Sequence, residues 1–341
     1  METSSELQTV SYKARIKLAL KFLLVGVVFW FLFKKGLVTT ESFGKLISSP
    51  GTILVVVLLN ILNTGLGTLR WKGLLDAKGA HLTFKRVFEL NLIGCFFNIA
   101  LPGAVSGDFV KAAFVSDQFP ERKPAVFGSM LLDRFLGMSA MVFVGAFSAV
   151  VSTFVNWGGS LPPALLITIS SVGAGIFLFY CYMFLSHKRD PLFKLIQFVT
   201  KRHTRLEIID KLYLGVMDYR TKPRAVLKAI AQSILIHILL ILIVFSISET
   251  VSVAPISLIA LAVIVPIGIL ATSVPVLPAG VGTGHAAFFA LFKLVGSSQG
   301  AEIFSVFVLW QIIIGVIGGA VYIRETAANH QKSIQGLKQK V

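Results

Sequence analysis

The amino-acid sequence predicts an all-α polytopic membrane helix bundle, with about six full spans and two opposed re-entrant helical hairpins in one transmembrane domain over residues 1–341. Three observations predict it. First, 55% of the residues are apolar and only 14% are charged, against roughly 25% charged in soluble domains. Second, several apolar runs reach the roughly 20 residues that a bilayer-spanning helix needs. Third, two further apolar regions are interrupted by Gly and Pro, which end helices.

The full-span candidates are 16–33, 51–69, 125–153, 163–185, 225–247 and 301–323. Before the first stand Lys13, Arg15, Lys17 and Lys21, as in a signal peptide. Phe31-Leu32-Phe33-Lys34-Lys35 offers no small-residue cleavage site, so a retained first helix is expected. The region 87–116 is broken at Leu101-Pro102-Gly103-Ala104-Val105-Ser106-Gly107-Asp108. A helix from Phe88 to Leu101 rises only about 21 Å, short of a hydrocarbon core of roughly 30 Å. Backbone broken at that depth is tolerated only inside protein or around a cavity, which predicts a hairpin. The region 256–297, broken at Leu277-Pro278-Ala279-Gly280-Val281-Gly282-Thr283-Gly284, is read the same way, although 256–275 is long enough to span alone. The two breaks share a Leu-Pro start 176 residues apart; an inverted internal repeat and simple composition both explain this. Between 190 and 220, Leu192, Leu195, Ile196 and Val199, then Ile208, Ile209, Leu212 and Val216, recur at helical spacing among basic residues. This predicts amphipathic helices on the membrane face.

Charge sets the topology. The chain carries 32 Lys and Arg against 16 Asp and Glu. With a cytoplasmic N-terminus and two hairpins, 26 of the basic residues fall on the cytoplasmic side, 3 outside, and Lys111, Arg134 and Lys293 in the embedded parts. Letting the first hairpin span would move the 11 basic residues of 187–228 outside, against the positive-inside rule. Both termini are therefore expected in the cytoplasm, in the cell (inner) membrane. The basic excess is read as topology and contact with anionic lipid, and nucleic acid is not an expected partner, because aromatic interleaving is missing. Cys95 and Cys181 form no CxxC pair and no metal pattern.

Opposed broken helices around a central site are a transporter architecture. Charges inside a bilayer are costly and mark candidate function. Asp133 and Arg134 lie some 13 Å into the third span. As neighbours they face different ways, and Arg134 meets either Asp108 or a substrate phosphate; a structural ion pair explains it equally well. Asp108 opens the outgoing arm of the first hairpin, where a carboxylate caps free N–H groups, and Lys111 shares its face. Asn98 bonds across the break. Gly280 and Gly282 precede the outgoing arm of the second hairpin, where N–H groups suit an anion. His285 is either a simply hydrogen-bonded side chain or a proton-coupling group. No nucleophile–base set, HExxH motif or nucleotide fingerprint occurs, and Asp133 and Glu89 stand isolated in sequence. No enzyme, cofactor or metal is expected.

These residues resemble the flippase-like family of the lysylphosphatidylglycerol synthase transmembrane region. The resemblance rests on Arg70 at the end of the second span, Asn98-Ile99-Ala100-Leu101-Pro102 with Gly107-Asp108, Asp133-Arg134-Phe135-Leu136-Gly137, and Pro278-Ala279-Gly280-Val281-Gly282. It covers roughly residues 15–325 and implies a lipid translocase. The soluble aminoacyl-transferase domain of the synthases is expected to be absent. Two departures stand out: Lys111 where the family often has Arg, losing a bidentate fork for phosphate, and His285 where it often has Glu. The expected substrate is a membrane lipid with an anionic or phosphate-bearing headgroup, held by Arg70, Lys111, Arg134 and the glycine N–H groups. The alternative is a non-transporting scaffold that recruits a lipid-modifying or glycosylation enzyme. A homodimer is also expected.

Overall fold

In the computed structural model the described residues are 40–101, 106–155, 161–185, 207–272 and 282–338, with positions 34, 159, 193, 197 and 280. The expected first span, 16–33, lies outside them, as do residues 102–105, 273–279 and 281.

Among the described residues the chain is all helix. The helices are α1 (Thr40–Ile47), α2 (Pro50–Ala77), α3 (Phe84–Ala100), α4 (Ser106–Gln118), α5 (Lys123–Val151), α6 (Pro163–Leu185), α7 (Glu207–Met217), α8 (Pro223–Val251), α9 (Leu258–Thr272), α10 (Thr283–Lys293) and α11 (Gly300–Lys338). Of these, α2, α5, α6, α8 and α11 are long and apolar enough to cross a membrane. Leu54, Leu58 and Leu62 on α2, Phe147 on α5 and Leu178 on α6 are exposed; in lipid such surfaces need no protein cover.

Two sets of contacts fix the ends of the bundle. At one end the Thr52 and Thr250 hydroxyls meet at 2.9 Å, joining the start of α2 to the end of α8. There too, Val253 N–H donates to Gln299 Oε1 at 3.4 Å, just before α11. At the other end basic residues do the tying. Lys78 pairs with Asp218, Lys222 donates to Ala77 O, and Tyr219 Oη–H donates to Leu74 O at 2.8 Å. Arg86 meets Glu325 at 2.5 Å and Arg324 meets Glu89 at 2.7 Å, clasping the start of α3 to α11. Glu89, isolated in sequence, is therefore paired.

The helices α3 and α4 both have their far ends at this basic end; α9 and α10 have theirs at the opposite end. The two helix pairs thus enter the bundle from opposite sides, as an inverted repeat requires. Their arms have 17 and 13 residues in the first pair and 15 and 11 in the second, at most about 25 Å long. Thr83 begins α3 by accepting Arg86 N–H at 3.3 Å. Leu101 ends it with φ −121° and ψ 145°, the extended backbone imposed on a residue before proline.

Two boundaries differ from the sequence reading. The second span runs on to Ala77, so Arg70 sits inside the helix and not at its end. Trp71, Leu74 and Leu75 there are fully buried, and packing extends the helix past the apolar run. Likewise α11 continues beyond 323. Of the amphipathic stretch, α7 is the described helix. It crosses α5 where Gly128 meets Gly215; a Cβ on Gly128 would lie 2.8 Å from the Gly215 carbonyl carbon. Among its described side chains Met217 is buried, with Tyr213 and Val216 packed beside it, while Leu214 is exposed.

Candidate functional site

Glycine and asparagine shape the first hairpin. Gly107 N–H donates to Asn98 Oδ1 at 2.8 Å, and Ser106 Oγ–H to Phe97 O at 3.2 Å. A Cβ on Gly107 would strike the Gly94 backbone, so only glycine lets the arms approach this closely. Asp108 and Lys111, on the outgoing arm, then face α2 and α5.

Two ion-pair groups form there. Asp108 accepts from Lys111 Nζ at 2.9 Å through Oδ1 and from Arg134 Nε through Oδ2. Lys111 also donates to Asn91 Oδ1 at 3.0 Å and lies 4.4 Å from the Trp71 ring centroid, a cation–π distance. Asn91 in turn donates to Thr68 Oγ1 at 2.9 Å. Asp133 takes Arg70 in a fork, at 2.7 and 3.0 Å, and Arg70 Nη1 donates to Ser233 Oγ at 2.9 Å. Consecutive helix positions differ by about 100°, so Asp133 and Arg134 serve different partners on α2 and α4. Asp133, isolated in sequence, is thus fully engaged. Arg134 has the side chain most open of these five, 38% exposed against 12% for Arg70 and 8% for Lys111.

These residues line a cavity of about 420 Å³. The flanks of both breaks reach it: Asn98 and Asp108 from the first, Ile269 and Thr272 from the second. Its walls fall into two levels. Counting helix rise from the basic end, Arg70, Lys111, Asp108, Asp133 and Arg134 stand about 10–16 Å in, while Asn60, Asn63, Asn98 and Gln311 stand about 21–26 Å in. His237, at the upper level, donates Nε2–H to Gly137 O at 2.9 Å.

Six of the expected site residues, Arg70, Asn98, Asp108, Lys111, Asp133 and Arg134, are brought together; Gly280, Gly282 and His285 do not line the cavity. Gly280 and Gly282 have φ 69° and 88°, and Gly282 N–H donates to His285 Nδ1 at 3.3 Å. His285 Nε2–H then donates to Ser305 Oγ at 3.0 Å, since the Ser305 hydroxyl donates to Ala301 O. The ring stands edge-on to Phe304 at 4.8 Å. Both ring nitrogens thus serve to start α10.

A family model described as the lysylphosphatidylglycerol synthase TM region matches residues 18–321. The chain belongs to that family. It is also 24% identical over 268 residues to a UPF0104 membrane protein of Methanothermobacter thermautotrophicus (strain Delta H), covering 74% of this chain and 78% of that protein. No solved structure matches it significantly. The match to the lysylphosphatidylglycerol synthase transmembrane family includes every residue of the cavity wall.

Sequence reasoning missed Asn60, Asn63, Asn91, His237 and Gln311. The signal was present: Asn60, Asn63, Gly67 and Arg70 recur at i, i+3, i+7 and i+10 through an apolar run, one polar face of a helix in lipid.

Proposed function

We propose that the chain is a lipid translocase that passes a phosphate-bearing headgroup through the cavity between the opposed helix pairs, the tails remaining in lipid. The carrying observation is the charge balance at the cavity. Arg70, Lys111 and Arg134 face Asp108 and Asp133, so one positive charge is in surplus, with Lys111 and Arg134 sharing one carboxylate. A buried surplus cation is costly without an anion, and a headgroup phosphate supplies one. In this reading the basic end faces the cytoplasm of the cell membrane, and no covalent chemistry occurs.

The test is Arg134→Ala in proteoliposomes carrying fluorescent anionic phospholipid. The variant should keep its expression and helix content and lose translocation at least about tenfold, the worth of one charge-assisted hydrogen bond. Undiminished movement refutes the reading. A parent protein that moves no lipid but retains a stoichiometric lipid-modifying enzyme supports the scaffold instead.

A further inference from the structure

The two levels of the cavity wall differ in chemistry, and the upper level has no role in holding charge. Both carboxylates are at the lower level and both are committed to Lys or Arg. The upper level is built of carboxamides together with His237, whose Nε2–H is committed to Gly137 O. Asn60 spends one N–H on Val56 O at 2.8 Å, and Asn98 spends its oxygen on Gly107. The side chains of Asn63 and Gln311, on α2 and α11, make no hydrogen bond with any described residue, yet both line the cavity. Polar side chains left unpaired within apolar spans are expensive. Each carboxamide offers two donors and an acceptor without charge, which matches hydroxyl groups and gives an ammonium group no counter-ion.

On the translocase reading above, we propose that the headgroup is a singly charged phosphodiester bearing a neutral, hydroxyl-rich group such as a glycerol, inositol or sugar. The phosphate sits against Arg134 and Lys111, matching the single surplus charge. The polyol reaches about 5–10 Å further from the basic end, to Asn63 and Gln311. A cationic headgroup is disfavoured: an aminoacyl ester of the lysyl type would bring its ammonium groups to a level without carboxylate and add positive charge to a cavity already in surplus.

The experiment is competitive retention. The full-length protein in detergent is equilibrated with equimolar phosphatidylglycerol, phosphatidylinositol, phosphatidylethanol and lysylphosphatidylglycerol, and bound lipid is read by native mass spectrometry. Phosphatidylethanol has the same phosphodiester charge and no headgroup hydroxyl. A site built to bond a hydroxyl rejects the analogue that lacks it, so one of the two polyol lipids should exceed phosphatidylethanol and lysylphosphatidylglycerol by at least about tenfold. Asn63→Leu and Gln311→Met should bring the ratio over phosphatidylethanol to about two or less, while Asn63→Gln and Gln311→Asn keep most of it. Retention of phosphatidylethanol or lysylphosphatidylglycerol as strong as that of the polyol lipids, or no selectivity at all, overturns the inference. Parallel proteoliposome assays separate the two readings. Selective retention without lipid movement removes translocation and leaves the headgroup assignment standing. Rapid movement of lysylphosphatidylglycerol does the reverse.

Discussion

Asp133→Asn isolates what the Arg70–Asp133 pair does. Arg70 is 12% exposed and Asp133 7%, and the two are joined by two charge-assisted hydrogen bonds across α2 and α5. Removing one partner of a buried pair costs about 3–5 kcal/mol, most of it the uncompensated charge left behind. Here the guanidinium keeps Ser233 at 2.9 Å and borders a cavity, which places the cost near the lower end, about 3 kcal/mol. That is roughly a hundredfold in the folding equilibrium. The double variant Arg70→Met, Asp133→Leu removes both charges at similar volume and should return to within about 1 kcal/mol of the parent, as apolar replacements of buried ion pairs do. The assay is equilibrium unfolding by SDS in mixed micelles, followed by loss of helical circular dichroism. A single variant within about 1 kcal/mol of the parent, or a double variant no better than the single, would falsify the claim that this pair holds α2 to α5.

Three other perturbations test the surroundings. Gly107→Val places a branched side chain where the Gly94 backbone stands; it should lower the thermal midpoint in detergent far more than Gly137→Ala, whose Cβ would lie 3.2 Å from Arg70 Nη1. Glu325→Ala frees Arg86 from α11 at a mostly buried site, the two side chains being 25% and 14% exposed, so stability should fall by about 1–3 kcal/mol, between the surface and fully buried cases, while hydrogen exchange at residues 84–89 quickens; unchanged exchange would contradict the clasp. His285→Gln keeps an acceptor and a donor beside Gly282 and Ser305, away from the cavity. Translocation in the variant should follow the parent's pH profile between pH 5 and 8, and a pH dependence abolished by the substitution would restore a proton-coupling role for the histidine.

The spans were legible because lipid demands length. Runs of apolar residues near 20, bounded by charge, place α5, α6 and α8 within a few residues of their observed ends. The ends that moved did so where packing outran hydropathy: Trp71, Leu74 and Leu75 carry α2 two turns past Arg70, although Arg70 looks like a terminus in sequence. In the site, Asp108 and Arg134 could be paired on paper because the hairpin forces Asp108 inward and a lone arginine in a span needs an anion. The Arg70–Asp133 fork could not be, since 63 residues separate the partners and only the antiparallel placement of α2 and α5 joins them. The carboxamides were overlooked for another reason. Asparagine and glutamine carry no charge, so a search for costly charges passes over them, and only the shared wall shows Asn63 and Gln311 facing one space.

The opposed helix pairs explain why the charges are affordable where they stand. A helix that crosses lipid completely satisfies its backbone internally and offers only side chains to a site. A helix that stops inside the bundle brings its terminus as well. At the first break the start of α4 presents its N–H groups, and the sequence answers with Asn98 on Gly107 and Asp108 in the first turn. That carboxylate is then available to anchor Lys111 and Arg134. The break therefore creates a need for negative charge, the acid meets it, and two cations gather around one acid. The surplus positive charge follows from the interruption of the helix, and a full span through 87–116 would have supplied neither the acid's reason for being there nor the space beside it.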